Sequence, residues 1–147
     1  MSVLLDTNVL SELLRAAPNP AVVAWVIAQP GGSLFVTSVT EAEMRVGVRL
    51  LPAGKRRQAL EVAIAAMFAE DFAGQIRPFD TAAVPDYVDI VRKRRAAGRP
   101  ISQFDAQIAA IALCHGDKLA TRNKSDFEGC GLALVDPWGF AAQAHRL

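Results

Sequence analysis

The sequence predicts an α/β fold: one domain whose central, mostly parallel five-stranded sheet is flanked by helices. Three observations carry this. Continuous apolar runs such as Val3-Leu4-Leu5 and Leu34-Phe35-Val36 read as strands buried on both faces, as in a parallel sheet covered by helices. Between the runs lie segments with apolar residues at helical spacing, and strands alternating with helices build such a sheet. At 147 residues, with 52% hydrophobic and 21% charged residues, the chain suits one domain over residues 1–147 with a well-buried core.

The elements follow in order. After the strand at Val3, Val9, Leu10, Leu13 and Leu14 mark one face of a short helix. Asn19-Pro20 restarts the chain into a helix over 21–28, which Pro30-Gly31-Gly32 breaks. Beyond the strand over 34–37, Ser38 or Thr40 is expected to cap a helix carrying Glu41, Glu43 and Met44 to about Val48. Pro52-Ala53-Gly54 precedes a long helix over 55–71, with Leu60, Ile64, Met67 and Phe68 at helical spacing. A third strand is expected over 75–79, with Asp80 capping a helix that starts at Thr81 or restarts at Pro85. That helix passes Tyr87, Ile90 and Val91 and ends near Gly98. Ser102 and Asp105 stand at capping-box spacing before a helix over 103–115, whose last carbonyls His115 can cap. The last two strands are expected over 118–121 and 132–135. Trp25 and Phe104 are expected in the core, and Trp138 against the C-terminal segment.

Composition excludes several classes. A formal net charge of +1 gives no bulk attraction to nucleic acid, so any such case rests on local clusters. Two cysteines, Cys114 and Cys130, do not make a disulfide framework. His115 and His145 have no partner for nucleophilic triad chemistry, and no Gly-rich phosphate loop is present. Apolar stretches fall far short of a membrane span. The first strand begins almost at Met1, leaving no room for a signal peptide. A cytoplasmic protein without membrane contact is expected.

What remains is a set of acids. Asp6 lies where a strand ends and a helix begins, and ligands in open α/β sheets bind outside the carboxyl ends of strands. Glu43 and Asp105 each stand about one turn into a helix, and Asp126 follows the fourth strand in Thr121-Arg122-Asn123-Lys124-Ser125-Asp126. Taken singly, each has an ordinary explanation: a helix cap, a solvated glutamate, an Asx turn. Together they share one sheet edge, where carboxylates would repel by roughly 4 kcal/mol per pair at 4 Å and an effective dielectric of 20. Protons or a divalent cation must relieve that repulsion. Oxygen donors without a Cys or His cluster favour Mg²⁺ or Mn²⁺ over Zn²⁺. Metal-dependent hydrolysis is the chemistry left.

At these residues the chain resembles the PIN-domain family, particularly VapC-type toxins of bacterial toxin–antitoxin pairs. The matching segments are Leu5-Asp6-Thr7-Asn8-Val9-Leu10, Glu43-Met44-Arg45-Val46-Gly47, Ser102-Gln103-Phe104-Asp105-Ala106-Gln107-Ile108-Ala109 and Ala120-Thr121-Arg122-Asn123-Lys124-Ser125-Asp126-Phe127. Four short motifs in register span essentially the whole chain. The resemblance implies a five-stranded parallel sheet, Mg²⁺- or Mn²⁺-dependent endoribonuclease activity on RNA (transfer, ribosomal or messenger), a homodimer, and inhibition by a cognate VapB-like antitoxin in a hetero-oligomer. Asp6, Glu43 and Asp105 match the family's acidic positions. Some members carry Asp at the position of Asn123, so here Asp126 is expected to supply the fourth charge and Asn123 to act as a neutral ligand or to position water.

The expected mechanism uses Asp6 and Asp105 as metal ligands, with Glu43 and Asp126 completing the cage and Thr7, Thr121 and Asn123 orienting carboxylates or water. A carboxylate deprotonates a water, which attacks an RNA phosphodiester in line. Arg45, Arg49, Arg92, Arg95, Arg99, Arg122 and Lys124 are the candidates for phosphate contact; the alternative for the Arg92–Arg95 run is a solvated helix end favoured by the dipole. The acids alone also fit a Mg²⁺-dependent phosphatase or a DNA nuclease. A metal-binding or phospho-acceptor interaction domain without turnover would instead need a lysine beside one acid, for which Lys124 is the candidate.

Overall fold

The computed structural model describes residues 1–141; His145 lies outside the described residues. Val3–Leu5 forms β1, followed by α1 at Thr7–Leu13 and α2 at Pro20–Ala28. Next come β2 at Leu34–Thr37, α3 at Ser38–Arg49 and α4 at Lys55–Ala66. β3 is Ile76–Arg77, α5 Val84–Ala96 and α6 Gln103–His115; β4 is Lys118–Ala120, α7 Lys124–Phe127 and β5 Leu134–Val135. The five strands pair in parallel throughout, in the order β3-β2-β1-β4-β5. The chain winds outward from β1 through β2 to β3, then crosses back to β4 beside β1. The reversal makes the β1–β4 boundary the topological switch point, where the crevice of such a sheet opens.

Strand alternation sorts the core into two layers. Val3, Leu5, Val36 and Ala120 face one side, against Val9, Leu10, Val22 and Trp25 of α1 and α2 and Ile64 of α4. Leu4 and Leu119 face the other, against Ile90 of α5 and Ala106, Ile108, Ala109 and Ile111 of α6. Six of the thirteen residues of α6 are buried, and the helix is apolar almost all round because it is wedged between α5 and the sheet. Its alanines permit close approach to the strands, and Gly116 closes it at φ 69°, a left-handed conformation that costs glycine little.

Several local expectations change. Thr37, not Ser38 or Thr40, caps α3: its hydroxyl accepts the N–H of Thr40 at 2.9 Å, and the helix runs on to Arg49. The long helix ends as an α-helix at Ala66 and continues as a π-turn over Met67–Asp71, where Phe72 N–H reaches Met67 C=O at 3.0 Å. The widened turn brings Met67, Phe68 and Phe72 into one core layer. β3 is only two residues long, and Pro78, which has no N–H to donate, follows it. Asp80 stands at the N-cap position of a 3₁₀ turn over Thr81–Ala83 without a side-chain cap bond, and α5 continues from Val84. Phe104 is 50% exposed rather than in the core, whereas Trp25 is buried. Among the described residues no helix is long and apolar enough to cross a membrane.

Leu119 is fully buried beside the switch point. Leu119→Ala is expected to lower unfolding free energy by about 3 kcal/mol in denaturant titrations, through lost transfer energy and a residual cavity.

Candidate active site

Each helix that begins at the carboxyl edge of the sheet delivers a polar side chain to one place. Asp6 is the residue after β1 and the N-cap of α1: Oδ1 accepts the N–H of Thr7 at 2.8 Å. Oδ2 accepts the hydroxyl of Thr121, the residue after β4, at 2.8 Å, and an amide N–H of Asn8 at 3.4 Å. The backbone N–H of Asp6 itself bonds Ala120 C=O at 2.9 Å, joining β1 and β4 at the switch point. Thr121 is wholly buried, and its hydroxyl oxygen also accepts from Asn8 Nδ2 at 3.3 Å and Asn123 N at 3.1 Å.

Glu43 stands on α3, where Oε1 accepts the hydroxyl proton of Thr7 at 2.9 Å. That proton committed, Thr40 must donate its own hydroxyl to Thr7 across 3.0 Å. Asp105, in the first turn of α6, has its N–H capped by Ser102 Oγ at 3.2 Å. Asp126 lies on α7. All four acids line one cavity of about 560 Å³, together with Thr7, Asn8, Ser11, Glu12, Arg15, Arg122, Asn123 and Trp138.

Electrostatics separate these acids. Burial raises the Asp6 carboxyl from 3.8 to about 6, opposed by its bonds from Thr121 and Thr7 and reinforced by the charges of Asp105 and Glu43. Glu43 and Asp105 are likewise raised, first by burial; Asp105 pushes on Glu43, and Asp126 on Asp105. Glu12 goes the other way: the backbone N–H of Asn19, at 2.9 Å, and Arg15 hold it below the usual range. The cavity lining thus combines three acids with raised proton affinity, Asp6, Glu43 and Asp105, with one held ionised, Glu12.

The four carboxylates line one cavity from separate elements without converging into a tight cluster. Among the described residues no three Asp, Glu, His or Cys side chains stand close enough to form a ready-made ion site. The threonine bonds hold Asp6 and Glu43 in separate orientations. An open, oxygen-only set of this kind suits a cation that keeps much of its water and binds through one or two carboxylates, as Mg²⁺ does.

Thr7, Thr121 and Asn123 all take part in or line the site, as expected. Of the basic candidates, only Arg122 lines the cavity. Arg45 pairs with Glu41 at 2.9 Å, Arg49 with Glu61 at 3.1 Å and Arg99 with Glu128 at 3.2 Å; Arg92, Arg95 and Lys124 are exposed outside the lining. Among the described residues the cavity lining includes no lysine, and Lys124, the candidate for the phospho-acceptor alternative, lies outside it.

Asn8, Ser11, Glu12, Arg15 and Trp138 were not expected there. The first four have a signal in the sequence: they sit at i, i+3, i+4 and i+7, Asn8, Ser11 and Glu12 on α1 and Arg15 just past its end, a polar stripe opposite the apolar one at Val9, Leu10 and Leu13. Trp138 has none, since it arrives from the far end of the chain. Arg94 was also missed. It is 6% exposed, and its guanidinium donates to the carbonyls of Arg99 at 2.7 Å, Asp126 at 2.7 Å and Glu128 at 3.1 Å, pinning the segment that carries Asp126.

Because the folded Asp6 binds its proton more tightly than an unfolded aspartate, it favours the folded state below pH 4, and that advantage is lost as pH rises toward 6. The shift from 3.8 to about 6 corresponds to about 3 kcal/mol at neutral pH. Asp6→Asn, which keeps an acceptor for Thr7, is expected to melt higher than the parent at pH 7 in EDTA and equally near pH 4. Thermal melts across that range check it; a variant that melts lower at pH 7 would make the carboxylate a net stabiliser.

The PIN domain family model matches residues 3–129. The chain is 40% identical over 136 residues to the VapC ribonuclease Y4jK of Sinorhizobium fredii, covering 92% of this chain and 97% of that one. To the toxin FitB of Neisseria gonorrhoeae it is 38% identical, covering 92% and 98%. The structure of FitAB bound to an IR36 DNA fragment superposes with a TM-score of 0.87 at 37% identity, covering 95% of this chain and 97% of that one. On the family model and these identities over nearly the whole chain, the chain belongs to the PIN domain family.

Proposed function

We propose that the protein is the toxin of a type II toxin–antitoxin pair, a Mg²⁺-dependent endoribonuclease that cleaves RNA phosphodiesters at the Asp6–Glu43–Asp105–Asp126 cavity. One observation carries this reading: three acids from separate elements, each with raised proton affinity, meet in a single cavity at the switch point. The likeness to a VapC ribonuclease and to the toxin FitB supports the choice of RNA and the role.

Asp6 and Asp105 would hold the cation, and Glu43 and Asp126 would complete its oxygen surroundings. Bound there, Mg²⁺, or Mn²⁺ in its place, supplies charge that neutralises the phosphoryl oxygens and makes a nearby water more acidic. Thr121 and Thr7 keep the Asp6 oxygens in fixed directions, so the acid does not need to reorient as charge develops. Thr7 does the same for Glu43, leaving the second carboxylate oxygen available to take the proton of the attacking water. Asn8 and Asn123 offer neutral donors and acceptors at the rim.

A cognate antitoxin is the partner this reading requires. Beside the acids runs a groove of about 950 Å³ that shares Thr7, Ser11, Arg15 and Glu43 with the cavity and is otherwise lined largely by apolar residues, Leu14, Met44, Val48, Leu51 and Leu60 among them. An antitoxin segment lying there would cover apolar surface and reach the acids at once. A homodimer acting in the cytoplasm completes the proposal.

Asp105→Asn is expected to fold as the parent does and to cut structured RNA at least about 100-fold more slowly in Mg²⁺. Gel analysis of fragments with Mg²⁺ and with EDTA tests it. Equal cleavage by variant and parent would take Asp105 out of the mechanism, and cleavage by the parent in EDTA would take out the metal.

A further inference from the structure

The cavity is larger than a hydrated cation needs. With roughly 30 Å³ per water, an ion and six waters fill about 200 Å³, against about 560 Å³ here. Part of the remaining lining is basic and aromatic rather than acidic: Arg15, Arg122 and Trp138. These three are fixed in place by their neighbours. Arg15 is held by Glu12 through Nη1 at 3.1 and 3.3 Å, and Glu12 is itself buried and anchored to the N–H of Asn19. Arg122 lies with Cζ 5.1 Å from the Trp138 ring centroid, and its backbone N–H donates to Asn8 Oδ1 at 3.4 Å. Arg122 directly follows Thr121, whose hydroxyl holds Asp6, so this sector has a covalently set offset from the acids.

We infer that Arg15, Arg122 and Trp138 form a nucleotide subsite beside the cleavage point, in which the two arginines take the phosphate next to the scissile one and the Arg122–Trp138 pair provides the surface on which its base stacks. The inference rests on the reading of the acids as an RNA-cleaving centre. Its chemistry is that of single-stranded RNA, whose unpaired bases stack on aromatic rings and on guanidinium planes while arginines pair with phosphate oxygens. Arg45, Arg49, Arg92, Arg95 and Arg99 do not line the cavity.

The test is binding of a fluorescein-labelled single-stranded RNA decamer to the full chain in EDTA, in an Asp105→Asn background, across a salt series. Arg122→Ala and Arg15→Ala are each expected to weaken binding about 10-fold and to lower the salt slope by about 1. Trp138→Ala should weaken it about 10-fold with the slope unchanged, while Trp138→Phe keeps most of the affinity. Arg92→Ala should bind as the background does. Circular dichroism checks folding; if Trp138→Ala does not fold, Trp138→Phe and Arg122→Ala decide. Arg122→Ala binding within twofold of the background overturns the subsite, as does an equal loss for Arg92→Ala. So does a poly-glutamate decamer that binds as tightly with the same dependence on Arg122. Loss of the subsite leaves Asp105-dependent cleavage in Mg²⁺ standing, whereas a protein that binds RNA as described but never cuts it refutes the nuclease alone.

Discussion

The structure depends on one carboxylate placed where a carboxylate is costly. Asp6 ends β1 and starts α1, is almost wholly buried, and bonds across the switch point to Thr121 at the end of β4. Those two residues sit 115 positions apart, and their contact registers the two halves of the chain against each other. Burial leaves the acid with a proton affinity far above that of a free aspartate. The fold therefore holds, at its topological crevice, a group that gains from any positive charge brought to it.

The surroundings are arranged around that demand. Glu43 and Asp105 add to the same negative field and are raised with Asp6, whereas Glu12 is neutralised locally by Arg15 and a backbone N–H. Threonine hydroxyls on neighbouring elements set the direction of the carboxylates, and Thr40 completes the relay by donating to Thr7. Arg94 works from beneath. Its buried guanidinium is satisfied by backbone carbonyls, so it fixes the Asp126 segment and tempers the field at Asp105 without filling the cavity. The cavity lining thus carries acids together with two arginines, Arg15 and Arg122.

Much of this was legible along the chain. Strand runs, breaks at Pro and Gly, and the helix over Gln103–His115 follow from hydrophobic period and turn chemistry, which are local properties. The acids Asp6, Glu43, Asp105 and Asp126 are legible as a group because parallel strands put every strand-to-helix junction on one edge. Errors fell where local rules compete. Thr37, Ser38 and Thr40 are all competent N-caps, and only the end of β2 decides which hydroxyl is left to cap. Met67–Asp71 keeps helical composition but widens to a π-turn because the core needs Phe72 as well as Phe68.

By itself the sequence determined the fold class, the sheet edge on which the acids lie and the oxygen-only character of the donor set, because periodicity and residue type are written locally. Only the tertiary structure decided which charges are free to act. Packing brings Glu61 to Arg49 and Glu128 to Arg99, whereas Arg45 meets Glu41 one turn away on its own helix; Arg122 lines the cavity over an indole from the last described turn. Coulomb interaction depends on distance through space and on burial, and neither quantity can be read from the order of residues along a chain.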